Sequence, residues 1–526
     1  MTRTHAIVNA TLETSPDTPK AIAYVEHTHT YGDSCLREEL TLEAVARSAE
    51  WAAQQWGTVD LGDKRLARRA VQVGAAMAEH PGQSLPQQMA GDRAALDGAY
   101  FLLNHPGVTL QALSEPHWER TLRRAQDPQV VLFIQDTTQL DFTHLSSMEG
   151  LGQIGDGNGR GLLLHSTSAV VPGETPQLLG LAHQQVVLRR PKDKPRPAGE
   201  PSAEGQVWAR AAAAVGTPPV GTRWVHVGDR GSDNFRFMYT CRTNATDFLI
   251  RVRHNRLLAW DQKDIEPQMR KLMDYARALP AQHHYTLQVP PNHERKARTA
   301  HMHLAWTAVS LPAPKGAAPE VCTQPPITVW VLRAWEVDAP PEAEPLEWIL
   351  ITSVPTQTVT DALERVAWYA LRWFSEDFHQ CLKTGCQIEH RQFDHADDIR
   401  RVLGFCSPIA VRLLQLRQAS RQTPMQPALH YVGPLPVRIL AARLRRDLDM
   451  ELSMGEFWQA VAHLGGYLGR PGDGPPGWKT LWRGWRQLNT LLQGARLFAA
   501  AVSAPDVPSK YQLDAISNVN IDHFFN

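Results

Sequence analysis

One stretch, from Asp361 to Lys383, constrains this chain more than any other. It contains neither Pro nor Gly, and its apolar residues recur at helical spacing, which predicts one helix. At about 100° per residue, one side of that helix is apolar and is expected to pack on a core. The apolar side consists of Val366, Trp373, Phe374, Phe378 and Leu382. Trp373 is therefore predicted to be a core residue.

The opposite side of the predicted helix gathers polar and charged groups within an arc of roughly 80°. These are Tyr369, Arg372, Glu376, His379 and Lys383. A solvated helix face also mixes charges, so this pattern alone leaves a surface and a functional site equally open. The functional interpretation gains support upstream, where two short apolar runs end in aspartate: QVVLFIQD at Asp136 and RWVHVGD at Asp229.

Those apolar runs predict the fold class. Short β-branched and aromatic runs predict strands near 129–136, 160–171, 178–188, 223–229, 247–256 and 347–355. An alanine-rich helix is predicted at 207–215, so the core is expected to be α/β or α+β with a mixed sheet. Alternating strand-like runs and Pro-rich connections between 257 and 345 predict a β-rich insertion.

Two aspartates at strand ends and a glutamate on a helix can bring three carboxylates together at one edge of a sheet. Mg²⁺ and Mn²⁺ prefer oxygen ligands, and a pair of such ions can stabilise the attacking and leaving oxygens of phosphoryl transfer. An aspartate followed by Thr or Gly is, however, also common as a turn or cap residue. From spacing alone, both interpretations stay open.

Composition limits the classes of partner. The 526 residues suggest about two to four domains. Formal net charge is zero, so any nucleic acid has to be bound by local basic patches. The six cysteines form no CxxC pair and no Cys/His array, which is typical of reduced cytosolic thiols. No apolar run reaches the ~20 residues that span a bilayer, and the polar N-terminus does not resemble a signal peptide, so a cytoplasmic protein without a membrane partner is expected.

Several motifs together resemble one known family. Tyr369, Arg372, Glu376 and Lys383 match the Y-R-E-K signature of the IS-four family of bacterial cut-and-paste transposases. DTTQL at Asp136 and GDRGSDNF at Asp229 resemble its two aspartate motifs. LGDKRLARR, GAYFLLNHP, PLEWILITS, AVRLLQLR and LGGYLGRP also look familial. The resemblance covers roughly residues 45–500.

This resemblance implies an RNase H-like catalytic core in which Asp136, Asp229 and Glu376 form a DDE triad. The triad would hold two Mg²⁺ ions, with Mn²⁺ as a substitute. The expected reactions are nicking at the terminal inverted repeat, hairpin formation by the released 3′-hydroxyl, hairpin opening, and joining to target DNA. The family acts as a homodimer on double-stranded DNA, which would place this protein on the bacterial nucleoid.

The resemblance also implies DNA contacts. Tyr369, Arg372 and Lys383 would bind phosphates beside the scissile one, with Arg230 as a further contact. Trp348 resembles the family's Trp that stacks on a flipped base, although a Trp at a strand start is ordinarily a core residue. His379 would orient water or phosphate, with a plain surface histidine as the alternative. Basic clusters that a solvated surface would equally explain are Lys64, Arg65, Arg68, Arg69, Arg251, Arg253, Arg256, Arg295, Lys296 and Arg298.

These interpretations divide the chain as follows: a poorly ordered extension at 1–41, a helical DNA-binding domain at 42–115, the catalytic core at 116–250 and 346–420, the insertion at 251–345, and a C-terminal helical dimerisation region at 421–526. For the C-terminal helices, with Trp478, Trp482 and Trp485, an intramolecular helix hairpin is the alternative.

Two other functions compete with an active transposase. A non-catalytic or domesticated DNA-binding relative would keep the fold; the retained carboxylates, Tyr, Arg and Lys argue against it. A two-carboxylate hydrolase such as a glycosidase could use Asp136 and Asp229, but it leaves the Tyr369–Lys383 face unexplained.

Overall fold

The computed structural model describes most of the chain. The described residues are 48–89, 91–189, 203–259, 266–289, 297–314, 323–341, 343–432, 434–444, 451–470, 473 and 476–502. The predicted extension at 1–41 lies outside these ranges, as do the predicted DNA contacts Arg295 and Lys296.

The described part of the chain begins with five helices. They are α1 (Ser48–Trp56), α2 (Lys64–Glu79), α3 (Leu85–Gln88), α4 (Arg93–Asn104) and α5 (Leu110–Arg124). Side-chain caps fix three of the starts: Asp63 for α2, Asp92 for α4 and Thr109 for α5 each accept a hydrogen bond from a first-turn backbone N–H. The helical character predicted for this N-terminal part of the chain is thus confirmed for its described residues.

The ten strands among the described residues form one sheet. They are β1 (Val130–Asp141), β2 (Gly152–Ile154), β3 (Gly159–Val171), β4 (Gln177–Val187), β5 (Arg223–Gly228), β6 (Asp247–Arg251), β7 (His283–Val289), β8 (Arg298–Leu311), β9 (Ile327–Val337) and β10 (Glu347–Thr352). Their order is β2-β3-β1-β5-β6-β10-β9-β8-β7, and β4 also pairs with β3. Between them lie α6 (Ala203–Val215), α7 (Phe235–Thr243) and α8 (Leu272–Ala278).

The sheet is mixed, as predicted. β1, β5 and β6 are parallel, and the remaining neighbours are antiparallel. This mixed α/β architecture, with helices at the N-terminus, is consistent with an RNase H-like core. The predicted insertion is rich in strands, but it is not a separate layer, because β9 pairs with β10 and so extends the core sheet.

Asp136 does not end its strand, so the prediction that this strand stops at Asp136 is wrong. β1 continues to Asp141, because Asp136 to Asp141 pair with Ser166 to Gly161 of β3. The parallel pairing with β5 does stop earlier, at Ile134 opposite Val227. Threonine is a good strand residue, and the antiparallel partner on the other side holds it in the sheet. Asp136 therefore lies just beyond the end of the parallel ladder.

The single helix predicted from Asp361 to Lys383 is interrupted. The structure has α9 (Val359–Ala370), α10 (Trp373–Gln380) and a π-helical turn at Cys381–Gly385. At the junction, the Phe374 N–H donates to the Leu371 carbonyl and the Ser375 N–H to the Arg372 carbonyl, three residues back instead of four. Arg372 therefore lies at a tightened turn between the two helices. Trp373 packs against the main core and stacks on Phe374, as predicted.

The C-terminal part of the described chain is helical. Its elements are α11 (Ala396–Gln422), α12 (Leu429–Val432), α13 (Pro434–Arg443), α14 (Met454–Leu464) and α15 (Trp478–Val502). α14 and α15 approach closely, since a Cβ at Gly484 would lie 1.7 Å from the Val461 carbonyl oxygen. Trp458 and Trp485 stack at 5.5 Å, and Trp482 is buried. The structure thus favours the helix-hairpin interpretation for Trp482 and Trp485; the side chain of Trp478 lies outside the description.

The N-terminal helices and the core share one hydrophobic interior. Trp56 of α1 packs against Phe405 of α11 at 5.2 Å, and the Arg412 guanidinium lies 4.8 Å from the Trp51 ring. Arg391 adds a polar link, because it donates hydrogen bonds to the carbonyls of Pro81 and Cys386. The helices of residues 48–124 are therefore docked on the core. Within the described ranges, no helix is long and apolar enough to span a membrane.

Buried histidines make the stability of this fold depend on pH. Burial lowers the pKa of His117, His165, His226 and His379 to about 3. These side chains are neutral in the folded protein, whereas in the unfolded chain they bind protons near pH 6.5. The unfolded state therefore binds more protons as pH falls below about 6.5, so the fold loses stability down to about pH 3.

We expect His226→Gln to weaken this pH dependence. Each such histidine contributes about 1.4 kcal/mol per pH unit between its two pKa values, and the substitution removes one of them. Urea unfolding of both proteins at pH 7, 6 and 5 measures the difference in slope. The exposed His254→Gln is the control and should keep the wild-type slope. An unchanged slope in His226→Gln would show that this side chain does not resist protonation.

Candidate active site

Three carboxylates come from neighbouring elements of the core. Asp136 lies on β1, Asp229 directly follows the parallel strand β5, and Glu376 lies on α10, which packs on β1. The Asp136 carboxylate accepts a hydrogen bond from the Thr137 N–H at 3.0 Å, and the Asp229 carboxylate accepts one from the Gly231 N–H at 2.7 Å. These local bonds fix the direction of both aspartates. The three residues predicted to form a triad are thus brought to one place.

Arg372 lies among these three carboxylates. Its Nη1 is 3.7 Å from Asp136 Oδ2, and its Nη2 is 3.4 Å from Glu376 Oε1. Burial alone would lower the pKa of Arg372, but Asp136, together with Tyr369, Asp229 and Glu376, raises it overall. The side chain is only 12% exposed. One guanidinium therefore offsets part of the negative charge of the group.

Tyr369, which neighbours Arg372, forms an aromatic pair with Trp348. The two rings meet edge to face, with centroids 5.1 Å apart. Tyr369 is buried, and this burial raises its phenol pKa. Trp348 is partly exposed and packs against the main core. The indole thus contacts Tyr369, which in turn neighbours Arg372, and part of the indole surface is open to solvent.

His379 is not the surface histidine considered as an alternative. It is 7% exposed, and its Nδ1 lies 3.9 Å from Asp136 Oδ2. Burial, with the positive charges of Lys383 and Arg372, lowers its pKa to about 3. The imidazole is therefore neutral at physiological pH, so it contacts Asp136 as a dipole and not as a cation.

Lys383 is positioned by a residue that the sequence did not single out. Its Nζ lies 3.1 Å from Glu389 Oε1 and donates to the Gln139 carbonyl of β1. Glu389 also accepts a hydrogen bond from the Asp141 N–H at 2.9 Å. The glutamate thus joins Lys383 to the end of β1. No periodicity in the sequence marks it, because the contact spans the π-helical turn.

The carboxylate oxygens of this site are suitable ligands for a hard divalent cation, but the three carboxylates are not arranged around a common metal position. Carboxylate oxygens are the ligands that Mg²⁺ and Mn²⁺ prefer. Among the described residues, however, no group of three or more His, Cys, Asp or Glu side chains is arranged closely enough to hold a metal ion. The guanidinium of Arg372 lies between the carboxylates instead.

The basic residues of α2 are accessible. Lys64, Arg65 and Arg68 are exposed, and Arg65 forms a 2.9 Å ion pair with Asp63. Arg69 lies across α4, since a Cβ at Gly98 would meet its guanidinium at 1.4 Å. This face is therefore basic and open, as predicted.

Other predicted DNA contacts differ in accessibility. Arg230 and Arg253 are exposed, whereas Arg251 is partly buried and donates to the Glu347 carbonyl. Arg256 pairs with the fully buried carboxylate of Asp233, and Arg298 with that of Glu336, which is 1% exposed. Both guanidiniums are occupied in buried pairs. The prediction that Arg256 and Arg298 contact DNA therefore loses its support. The sequence could not show this, because a local charge pattern does not reveal pairs between distant residues.

The N-terminal helices match a known family. Residues 48–108, from α1 through α4, match the family model described as transposase DNA-binding. This stretch includes the basic face of α2. The chain therefore carries a transposase DNA-binding domain, and DNA is its partner.

Proposed function

We propose that this protein is a metal-dependent DDE transposase of a bacterial insertion sequence, of the IS-four type. The observation that carries the proposal is the convergence of Asp136, Asp229 and Glu376 around Arg372 in a chain that also has a transposase DNA-binding domain. Terminal inverted repeats and target DNA are the proposed substrates, and a homodimer on DNA is the proposed working form.

In this proposal, the carboxylates would hold Mg²⁺, which would supply the positive charge that phosphodiester cleavage requires. Water attacks the phosphorus at the element end, the P–O3′ bond breaks, and a 3′-hydroxyl is released. That hydroxyl then attacks a phosphodiester of the opposite strand: a new P–O3′ bond closes the hairpin, the bond from the same phosphorus to the flanking 3′ oxygen breaks, and the flanking DNA leaves with a 3′-hydroxyl. The chain's own residues orient the DNA: Arg372 and Lys383 contact the neighbouring phosphates, since guanidinium and ammonium groups suit such contacts. His379 keeps Asp136 in position.

Electrostatics support DNA binding at this site. Burial is the main cause that lowers the pKa of Arg251. The positive charges of Arg230 and Arg372 lower this pKa further, so both residues lie near Arg251. Lys383 lies near the end of β1, and its charge, like that of Arg372, acts on His379. These arginines could bind the phosphates of a bent DNA backbone near the carboxylates.

The experiment that tests the proposal uses a labelled duplex that carries the DNA end flanking the gene. Purified protein is incubated with this duplex in Mg²⁺ or in EDTA, and the products are separated on a denaturing gel. Nicked and hairpin products that require Mg²⁺ are expected. Binding to the end without cleavage in Mg²⁺ or Mn²⁺ would instead favour a non-catalytic DNA-binding relative.

We expect Trp348→Ala to impair hairpin formation at least about tenfold more than first-strand nicking. The partly exposed indole, held by Tyr369, offers a stacking surface, and base stacking on an aromatic side chain is worth about 1–3 kcal/mol. Quantifying nicked and hairpin products over time measures both steps. Trp348→Phe should keep most of the hairpin activity. Equal losses in both steps would remove the stacking assignment.

A glycosidase that uses Asp136 and Asp229 remains the less favoured function. Such an enzyme leaves the Tyr369–Lys383 face without a role. It also gives no role to the DNA-binding domain.

A further inference from the structure

Resting on the proposed function, we infer a second role for Arg372: in the DNA-free protein it is the resident cation of the three carboxylates and excludes divalent metal. DNA and metal then enter together, because a DNA phosphate draws the guanidinium away as the ions arrive. Arg372 would thus pair with the carboxylates before DNA binds and with a DNA phosphate afterwards.

The contacts of Arg372 are close enough to neutralise charge but too long to be tight hydrogen bonds. Charge-assisted N–H···O bonds usually measure about 2.7–2.9 Å, whereas the distances here are 3.7 Å to Asp136 and 3.4 Å to Glu376. Nη1 is buried and has no hydrogen-bond partner within the described ranges. A guanidinium held by such long contacts gives up no tight hydrogen bond when it exchanges the carboxylates for a phosphate.

Some cation is needed at this place. Asp136 is 16% exposed, Glu376 lies 3.4 Å from the other terminal nitrogen of the same guanidinium, and Asp229 is near enough to act on it electrostatically. Carboxylates that face one another in a partly buried site repel one another unless a positive charge lies between them. Arg372 supplies this charge within its own chain, so the site does not need metal to remain folded.

Arg372 and metal ions compete for the same position. Mg²⁺ binds carboxylate oxygens at about 2.0–2.1 Å, so an ion shared by Asp136 and Glu376 would lie where the guanidinium is now. Two cations at such a distance repel each other strongly in a partly buried site. The absence of a preformed cage among the described carboxylates is what this competition predicts.

The backbone at Arg372 allows the exchange. The residue lies at the tightened turn between α9 and α10, and not inside a continuous helix. Its guanidinium also neighbours Arg251, which is itself close to Arg230. A phosphate bound near these groups lies within reach of Arg372.

Coupling between two ligands is reciprocal. If a DNA phosphate removes the competitor of the metal, DNA raises metal affinity, and metal raises DNA affinity by the same factor. The free protein is then expected to bind divalent ions weakly.

The test is direct binding of Mn²⁺ to the full chain, measured by electron paramagnetic resonance without DNA. Arg372→Gln should bind Mn²⁺ at least about tenfold more tightly than wild type, and Arg372→Lys, which keeps the charge, should stay near wild type. Arg230→Gln, which removes an exposed charge near the site, should change the affinity less than about threefold. Adding an end-containing duplex should tighten Mn²⁺ binding to the wild type.

Two results have different meanings. Wild-type protein that binds Mn²⁺ without DNA as tightly as Arg372→Gln would overturn the inference and leave the proposed function intact. Mn²⁺ binding that Glu376→Ala leaves unchanged, with and without DNA, would show that the carboxylates are not the metal ligands, and both proposals would fall. Thermal unfolding of each variant excludes a misfolded site as the cause.

Discussion

Alanine in place of Glu376 is expected to reduce cleavage of the element end about 10²- to 10³-fold while specific DNA binding persists. Loss of one group that stabilises transition-state charge typically costs about 3–4 kcal/mol, which corresponds to this range. The same result is expected for Asp136→Ala and Asp229→Ala. The basic face of α2 lies outside the carboxylate group, so binding of the inverted repeat should survive.

Single-turnover cleavage and gel-shift titration on the same DNA separate these effects. Glu115→Ala, an exposed carboxylate on α5, is the control and should cleave at the wild-type rate. If the triad variants lost binding as much as cleavage, the three carboxylates would have a structural role instead.

The second large effect is expected from Arg391→Ala. Arg391 is 6% exposed and donates to the Pro81 carbonyl at 2.7 Å, to the Cys386 carbonyl at 3.3 Å and to Gln88 Oε1 at 3.4 Å. Its removal leaves buried acceptors without donors, and each such loss costs about 1–3 kcal/mol. A decrease in the thermal midpoint of about 5 °C or more is therefore expected.

Arg93→Ala is a suitable control for Arg391→Ala, because its ion pair with Asp97 is exposed and surface pairs contribute about 0–1 kcal/mol. Hydrogen exchange should also locate the effect of Arg391→Ala, with faster exchange around Pro81 and at the segment after Lys383. Equal thermal shifts in the two variants would contradict the assigned link between the N-terminal helices and the core.

Much of the site could be predicted from the sequence because its determinants are local. Apolar runs that lead into Asp136 and Asp229, and an amphipathic helix that carries Glu376, follow from period and side-chain type. A mixed sheet then brings the two aspartates to one edge. The strand that contains Asp136 was predicted too short because a pair of threonines is typical of both turns and strands, and the antiparallel partner decides between them.

Other features depend on contacts between distant residues. The turn at Arg372 has neither Pro nor Gly, so its position is set by packing against the core. Glu389 meets Lys383 only after the π-helical turn, and Arg298 meets Glu336 across two strands. Arg298 and Arg256 looked like solvent-exposed charges because a local pattern does not show which acid lies opposite.

The interior shared by α1 and α11 has a geometric consequence for the DNA. If the proposed function holds, the docking of the DNA-binding helices on the core would fix the distance between the recognised base pairs and the cleaved phosphate. One extra base pair between them would shift the scissile phosphate by about 3.4 Å and rotate it by about 34° around the duplex. The enzyme would then choose its cleavage point by measuring length, without reading the sequence at the cut.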